Sequence, residues 1–303
     1  MVDAILDKCQ KGKNLSSLDY EKLLTLEDEN KINQLLNSAK TIRDKYSKKV
    51  LLTPTLSIKD KTCKELLTCI KRSEELDIPR VNFFRQYETD EDVINACKLV
   101  KENTNLKTHV SISGEFSFES IEELSNIGVD TICCNLSTVN NEVFLNNHPK
   151  DTLTQRIKLC QNISKNGIGL SSGLVLGIGE EIPDRLKHLR FLSNYRTLEE
   201  IPIINYNTYP DLPTKEEQII PLMEHLKTIA ITRIMYPKIT ITVPLSQYKL
   251  EYGKYYLDAG ANSLVTNDIL KYEIFKEILN MIDECGLEIA TTTFKWIIMN
   301  GFQ

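Results

Sequence analysis

Beyond Lys49 the chain alternates between two periodicities. Short apolar, β-branched runs at Val50–Ser57, Val81–Phe84, His109–Ser113, Thr131–Leu136, Gly167–Leu176, Ile203–Tyr206, Ile239–Val243 and Ser263–Val265 have the length and composition of strands. Between them, apolar residues recur at helical spacing in Cys63–Leu76, Asp90–Glu102, Ser120–Ile127, Thr152–Lys165, Asp184–Leu192, Lys215–Tyr236 and Gly253–Asp258. Eight alternations of strand and helix predict an α/β fold. That many repeats favour a closed (βα)8 TIM-type barrel of parallel strands over an open doubly wound sheet, the alternative. Residues 1–47 combine helical spacing with many charges and read as an N-terminal helical extension. Residues 48–303 read as the barrel with C-terminal closing helices, because no linker or composition shift divides residues 49 to 290. Tyr272–Cys285 is expected to close the barrel, followed by an apolar segment, Leu287–Phe302, in which Trp296 is a packing aromatic.

Composition narrows the function classes. A chain of 303 residues suits one barrel of about 250 residues with an extension. The formal charge of −5 argues against a polyanionic partner, so no nucleic acid is expected. No run approaches eighteen apolar residues and no secretory signal opens the chain, which predicts no membrane association and a cytoplasmic location. Eight scattered cysteines in that setting predict free thiols.

The densest functional signal is Gly173-Leu174-Val175-Leu176-Gly177-Ile178-Gly179-Glu180, between a strand-like run and the helix beginning near Asp184. Three glycines in seven residues let the backbone approach a ligand and present its own N–H and C=O groups. In a barrel the site lies at the carboxyl ends of the strands, where Arg85, Asn135 and Gly177 fall.

Gly173-x-Val175-x-Gly177-x-x-Glu180 resembles the fifth-strand Gly-x-Ile-x-Gly-x-x-Glu motif of radical S-adenosylmethionine (SAM) enzymes. The surroundings resemble the biotin synthase branch and a related branch that builds hydrogenase cofactors. Asn135-Leu136-Ser137-Thr138, Gln155-Arg156-Ile157, the glycine motif and Asp184-Arg185 follow that branch in order. So do Ile201–Asn205, Ile229–Pro237 and Ala259–Ser263, and the resemblance covers roughly residues 48 to 270. It implies a pocket for SAM or a derivative, with Arg156 facing the SAM carboxylate. It also implies a [4Fe–4S] cluster held by three cysteines after the first strand.

The sequence departs from the family there. The hydrogenase-cofactor branch is thought to use Cys-x5-Cys-x2-Cys; Cys63 and Cys69 match the first interval, but Arg72 stands third, and a guanidinium cannot replace a thiolate. Thr62 with Glu65 three residues on reads as a capping box, so Cys63–Leu76 is expected to be a helix and the cluster to be absent. At the second strand's end stands Phe83-Phe84-Arg85-Gln86 in place of the family's Gly-Gly-Glu. Ser137 stands where an acidic residue would grip SAM, and Thr242 where an arginine would touch an auxiliary cluster, which is expected to be absent too.

The candidate ligand-binding residues are therefore Arg85, Asn135, Ser137, Arg156, Gly173, Gly177, Gly179, Glu180 and Asn205. Simpler readings stand beside several of them: a surface ion pair for Arg85, turn or cap roles for Asn135 and Asn205, and a helix-dipole partner for Glu180. His109 and His148 read as structural. Cys133 and Cys134 point to opposite faces of a strand, so one can face the barrel interior, while Tyr206 and Tyr209 read as pocket walls. The expectation is a radical-SAM-like barrel that takes a small-molecule ligand, SAM or a derivative, in a non-radical step of cofactor biosynthesis, a hydrogenase cofactor being one example. The alternatives are a non-catalytic partner or scaffold of an intact radical SAM or cofactor-biosynthesis enzyme, and a true [4Fe–4S] enzyme that uses Cys63, Cys69 and an unforeseen ligand.

Overall fold

The computed structural model describes residues 2–59, 61–84, 87–206, 220–245, 250–266 and 268–291. Its centre is a closed barrel of parallel strands: β1 (Lys49–Leu56), β2 (Arg80–Phe83), β3 (Lys107–Ser111), β4 (Thr131–Cys133), β5 (Gly169–Ser171) continued by β6 (Leu174–Leu176), β7 (Leu198–Asn205), β8 (Thr240–Pro244) and β9 (Ser263–Thr266). Closure comes from β9 pairing with β1, Leu51 opposite Ser263. Outward-facing Val81, Val110, Ile132, Ile201 and Val243 are completely buried beneath the surrounding helices, as a parallel sheet covered on its outer face requires.

Three helices precede the barrel: α1 (Val2–Gln10), α2 (Ser17–Leu24) and α3 (Glu29–Tyr46). The crossovers carry α4 (Cys63–Glu75), α5 (Asp90–Asn103), α6 (Phe118–Ile127), α7 (Asn141–Asn147), α8 (Leu153–Lys165), α9 (Ile182–Leu192), α10 (Leu222–Met235) and α11 (Tyr252–Asp258), and α12 (Tyr272–Glu284) follows β9. The first helices are fastened by buried cations. Arg43 of α3 donates to the carbonyls of Leu257 and Ala261, and Arg233 of α10 donates to the Gly260 carbonyl at 2.9 Å and to Asn262 Oδ1 at 2.8 Å.

Three departures from the sequence reading are informative. The fifth barrel strand, expected to be continuous, breaks between Ser171 and Leu174, and β6 pairs with β7 while Ser137 bridges to Leu174. Gly173 permits the break, since a Cβ there would lie 2.0 Å from the Pro202 carbonyl oxygen. The sixth strand starts at Leu198, five residues before its apolar run, because Glu199 and Glu200 disguise its beginning. The short helix α7 was not foreseen; Asn140 caps it through Glu142 N and Val143 N. A final strand, β10 (Glu288–Ile289), pairs with the start of β1, and Trp296 lies outside the described residues.

Candidate functional site at the barrel mouth and lumen

Barrels of this type fill their interior with layers of four side chains drawn from alternate strands, mostly bulky and branched. Carrying the strand register around this barrel gives a different filling. The lowest of four layers holds Arg80, Thr131, Glu200 and Ser263, and the next Thr53, His109, Ser171 and Thr242. Above them come Asn82, Cys133, Pro202 and Val265, and then Thr55, Ser111, Gly173 and Pro244. The side chains shrink towards the carboxyl ends, and half-buried Thr55, Cys133, Pro244 and Val265 mark where solvent reaches in.

The lower two layers form one polar network. Arg80 donates to Glu200 at 2.6 Å and to Thr53 Oγ1 at 3.1 Å, and Ser171 donates to Glu200 at 3.2 Å. Burial opposes ionisation of Glu200, but Arg80 and His109 outweigh it and hold the carboxyl well below the usual range. His109 Nδ1 meets Asn82 Oδ1 at 2.8 Å. Glu199 enters from a bulge in β7, donor to none and acceptor from Thr131; Gly169 makes room for it, since a Cβ there would lie 2.2 Å from its carboxyl carbon.

At the mouth, the segment after β4 and the glycine motif interlock. Asn135 Oδ1 accepts from Gly173 N at 2.8 Å. Its carbonyl accepts from Arg156 at 2.8 Å, and the Arg156 guanidinium is also paired with Asp151 at 2.5 Å over the Phe144 ring. Gly114 clears space for that carboxylate, 2.1 Å from where its Cβ would sit. Ser137 adopts φ +62°, uncommon for a residue with a side chain, and lies 3.3 Å from His148 Nε2. Gly177 (φ +86°) and Gly179 (φ +96°) make the turn. Glu180 holds it from inside: one carboxylate oxygen accepts from Gly177 N and Ile178 N, both at 3.0 Å, and the other from Arg185, which reaches Glu224 at 3.0 Å. Asn147 Nδ2 adds a bond to the Ile178 carbonyl at 2.8 Å.

The structure thus brings Asn135, Ser137, Arg156, Gly173, Gly177, Gly179 and Glu180 into one wall. Arg156 and Glu180 are buried and committed to protein partners, so their direct work is to shape that wall. Asn205 ends β7 directly beside the glycine motif, paired in register with Leu176, and donates to the Ile220 carbonyl at 3.2 Å, with half-buried Tyr206 next to it. Arg85 and Tyr209 lie outside the described residues. The lumen network of Arg80, Asn82 and Glu200 was not singled out from sequence; three polar residues at alternate positions of otherwise buried strands are the signal that could have found it.

A cubane cluster needs three thiolates that converge after the first strand. Residues 57–62, between β1 and α4, contain no cysteine. Cys63 opens α4 behind the Thr62–Glu65 capping box, with Cys69 six residues on. Helix geometry separates the two by about 120° around the axis and about 9 Å along it. Arg72 is paired with Glu75 at 3.1 Å. Among the described residues no three His, Cys, Asp or Glu side chains converge as a metal-ligand set, and the thiols of α4 do not fit a cluster in this arrangement. None of the described helices is long and apolar enough to cross a membrane.

Comparisons with known proteins agree with the barrel. Residues 28–192 match the Radical SAM superfamily model, and residues 200–288 match the Biotin and Thiamin Synthesis associated domain. An uncharacterized protein of Methanocaldococcus jannaschii is 35% identical over 77% of this chain and 70% of its own length. The biotin synthase of Thermodesulfovibrio yellowstonii is 28% identical over 90% of this chain and 96% of its own. Among solved structures, methylornithine synthase superposes with TM-score 0.83 at 18% identity, covering 95% of this chain and 98% of its own. The hydrogenase maturase HydG gives TM-score 0.82 at 14% identity, over 94% of this chain and 74% of its own. At such identities these two structures speak for the shared barrel alone.

Proposed function

Because this chain belongs to the radical SAM superfamily, whose members use SAM, we propose that it binds SAM or a SAM-derived nucleoside at the barrel mouth in a step of cofactor biosynthesis, without assembling the radical-initiating cluster. One contrast carries the reading. The wall from Asn135 to Glu180 is built in full, whereas the loop before α4 offers no thiolate and α4 holds its two cysteines on different faces. A small molecule is then the ligand class, and an enzyme that does carry out radical chemistry is the natural protein partner. Nucleic acid has no place in the reading, given the formal charge of −5.

Calorimetric titration with SAM, S-adenosylhomocysteine and methylthioadenosine tests the pocket: binding of at least one is expected, and heat from none of them overturns it. Anaerobic reconstitution with iron and sulfide tests the cluster half separately. The expected product is colourless and iron-poor; a full cluster per chain would instead establish a radical enzyme with unusual ligands.

A further inference from the structure

Beneath the adenosyl site the lumen presents hydrogen-bond donors with no acceptor left to meet them. Glu200, 2% exposed, is already served by Arg80 and Ser171, so it is not available to a cationic ligand. Two layers up, Asn82 Oδ1 accepts from His109 Nδ1 at 2.8 Å and from Ser111 Oγ at 3.4 Å, which leaves the Asn82 amide nitrogen without an acceptor among the described residues. In the His109 layer, the Thr242 hydroxyl is buried without a partner, as is Ser263 one layer lower. His109 Nε2 lies 3.3 Å from Glu200 Oε1 without the alignment of a hydrogen bond, a third buried polar atom left unmatched. Buried polar atoms left unmatched cost free energy that a complementary ligand returns.

We propose that this lumen receives the carboxylate of a small-molecule substrate, held by Asn82 from the layer above His109 and by Thr242 from the His109 layer itself. The proposal deepens the reading above, since that substrate would lie below the adenosyl ligand, but it stands on different residues. A carboxylate supplies two acceptor oxygens to the Asn82 amide and the Thr242 hydroxyl. Its single charge also balances the floor. The groups facing His109 are Arg80 from β2 and Glu200 from β7, with Glu199 at the base and Cys133 of β4 a layer above. Arg80 and Glu200 cancel, and burial holds Glu199 towards its neutral form. A bound anion then has one compensating step available, protonation of His109, which turns the Glu200 contact into a second N–H donor. A doubly charged phosphate exceeds what one imidazolium can balance.

Three probes of one length separate the possibilities: hexanoate, hexanamide and hexylammonium, titrated into the full chain with the histidine ring nitrogens labelled and the His109 signal assigned through His109→Gln. Hexanoate is expected to raise Tm and to move His109 towards the imidazolium signature, with uptake of a proton, whereas the amide and the ammonium do neither. Asn82→Asp, which places an anion in the lumen, and Thr242→Val, close to isosteric, are each expected to weaken hexanoate at least tenfold. Circular dichroism and the SAM titration on the same samples check that the fold and the upper site persist. No hexanoate binding, equal binding of hexanamide or hexylammonium, or hexanoate binding untouched in both variants would overturn the proposal. Loss of SAM binding alone would strike only the adenosyl reading.

Discussion

The part of the barrel from β1 through α4 and the part from β4 through α9 are built differently within one fold. In the second, the residues that resemble a SAM motif are tied to one another: Asn135 to Gly173, Glu180 to the Gly177 and Ile178 amides, Arg185 to Glu180 and Glu224. In the first, Thr62 and Glu65 close a capping box and Arg72 meets Glu75 on the surface, so the residues at the place of the cluster loop serve the helix. The difference teaches what such a motif is for. Glycines and a buried glutamate shape backbone whatever ligand meets it, whereas a cysteine triad serves only a metal.

The contrast breaks hardest at Glu180. Glu180→Ala removes the acceptor for two backbone amides and leaves Arg185, buried, with only the half-exposed Glu224. Breaking a buried pair from one side costs about 3–5 kcal/mol, so urea unfolding should show a loss of that order together with loss of adenosyl-ligand binding. A change under 1 kcal/mol would mean that the turn does not depend on this carboxylate.

Gly173→Ala is expected to cost up to about 3 kcal/mol, because the new methyl meets the Pro202 carbonyl and forced overpacking of a core runs to that size. Gly179→Ala is the control in the same turn. Its Cβ would meet nothing within 4 Å, so only its φ of +96° is penalised, by about 1 kcal/mol. Equal losses in the two variants would show that conformation, not close approach, accounts for Gly173.

Acid should loosen the glycine-motif side first. Burial depresses His188 of α9 to about 3 and His225 of α10 to about 4, although the Ile203 carbonyl pulls His225 the other way. Both rings are neutral when folded and ordinary when unfolded, so their contribution is complete above about pH 6.5 and is lost as pH falls towards those values. Each should cost about 1.4 kcal/mol per pH unit inside that window. The urea midpoint should therefore begin to fall below pH 6.5; a midpoint flat from pH 7 to pH 5 would refute the assignment.

The barrel was legible in the sequence because alternating β-branched runs and amphipathic segments report burial directly, and the Thr62–Glu65 box because capping is a local interaction. What escaped was nonlocal. Glu199 and Glu200 hid the start of β7, since a buried carboxylate is tolerated only through Arg80, 120 positions away in the chain. The lumen layers depend on register carried through eight strands, which no window of sequence contains. Arg156 and Glu180 were read as facing a ligand, and only the placement of Asp151 and Arg185 shows how they are held.

The smallest effect tests the segment from β1 through α4. Thr62→Ala removes an exposed N-cap and should cost about 1 kcal/mol without changing adenosyl-ligand affinity. Its further use is as a background for Arg72→Cys. That substitution completes the spacing Cys-x5-Cys-x2-Cys, yet while α4 persists, the first thiol lies about a third of a turn away from Cys69 and about 13 Å along the axis from the third. Arg72→Cys alone should stay iron-poor after anaerobic reconstitution, and the Thr62→Ala/Arg72→Cys pair should take up more iron, because fraying the first turn frees Cys63 to swing inward. Full iron loading of the single variant would show that the missing thiol, not the capped helix, is what separates this segment from a cluster loop.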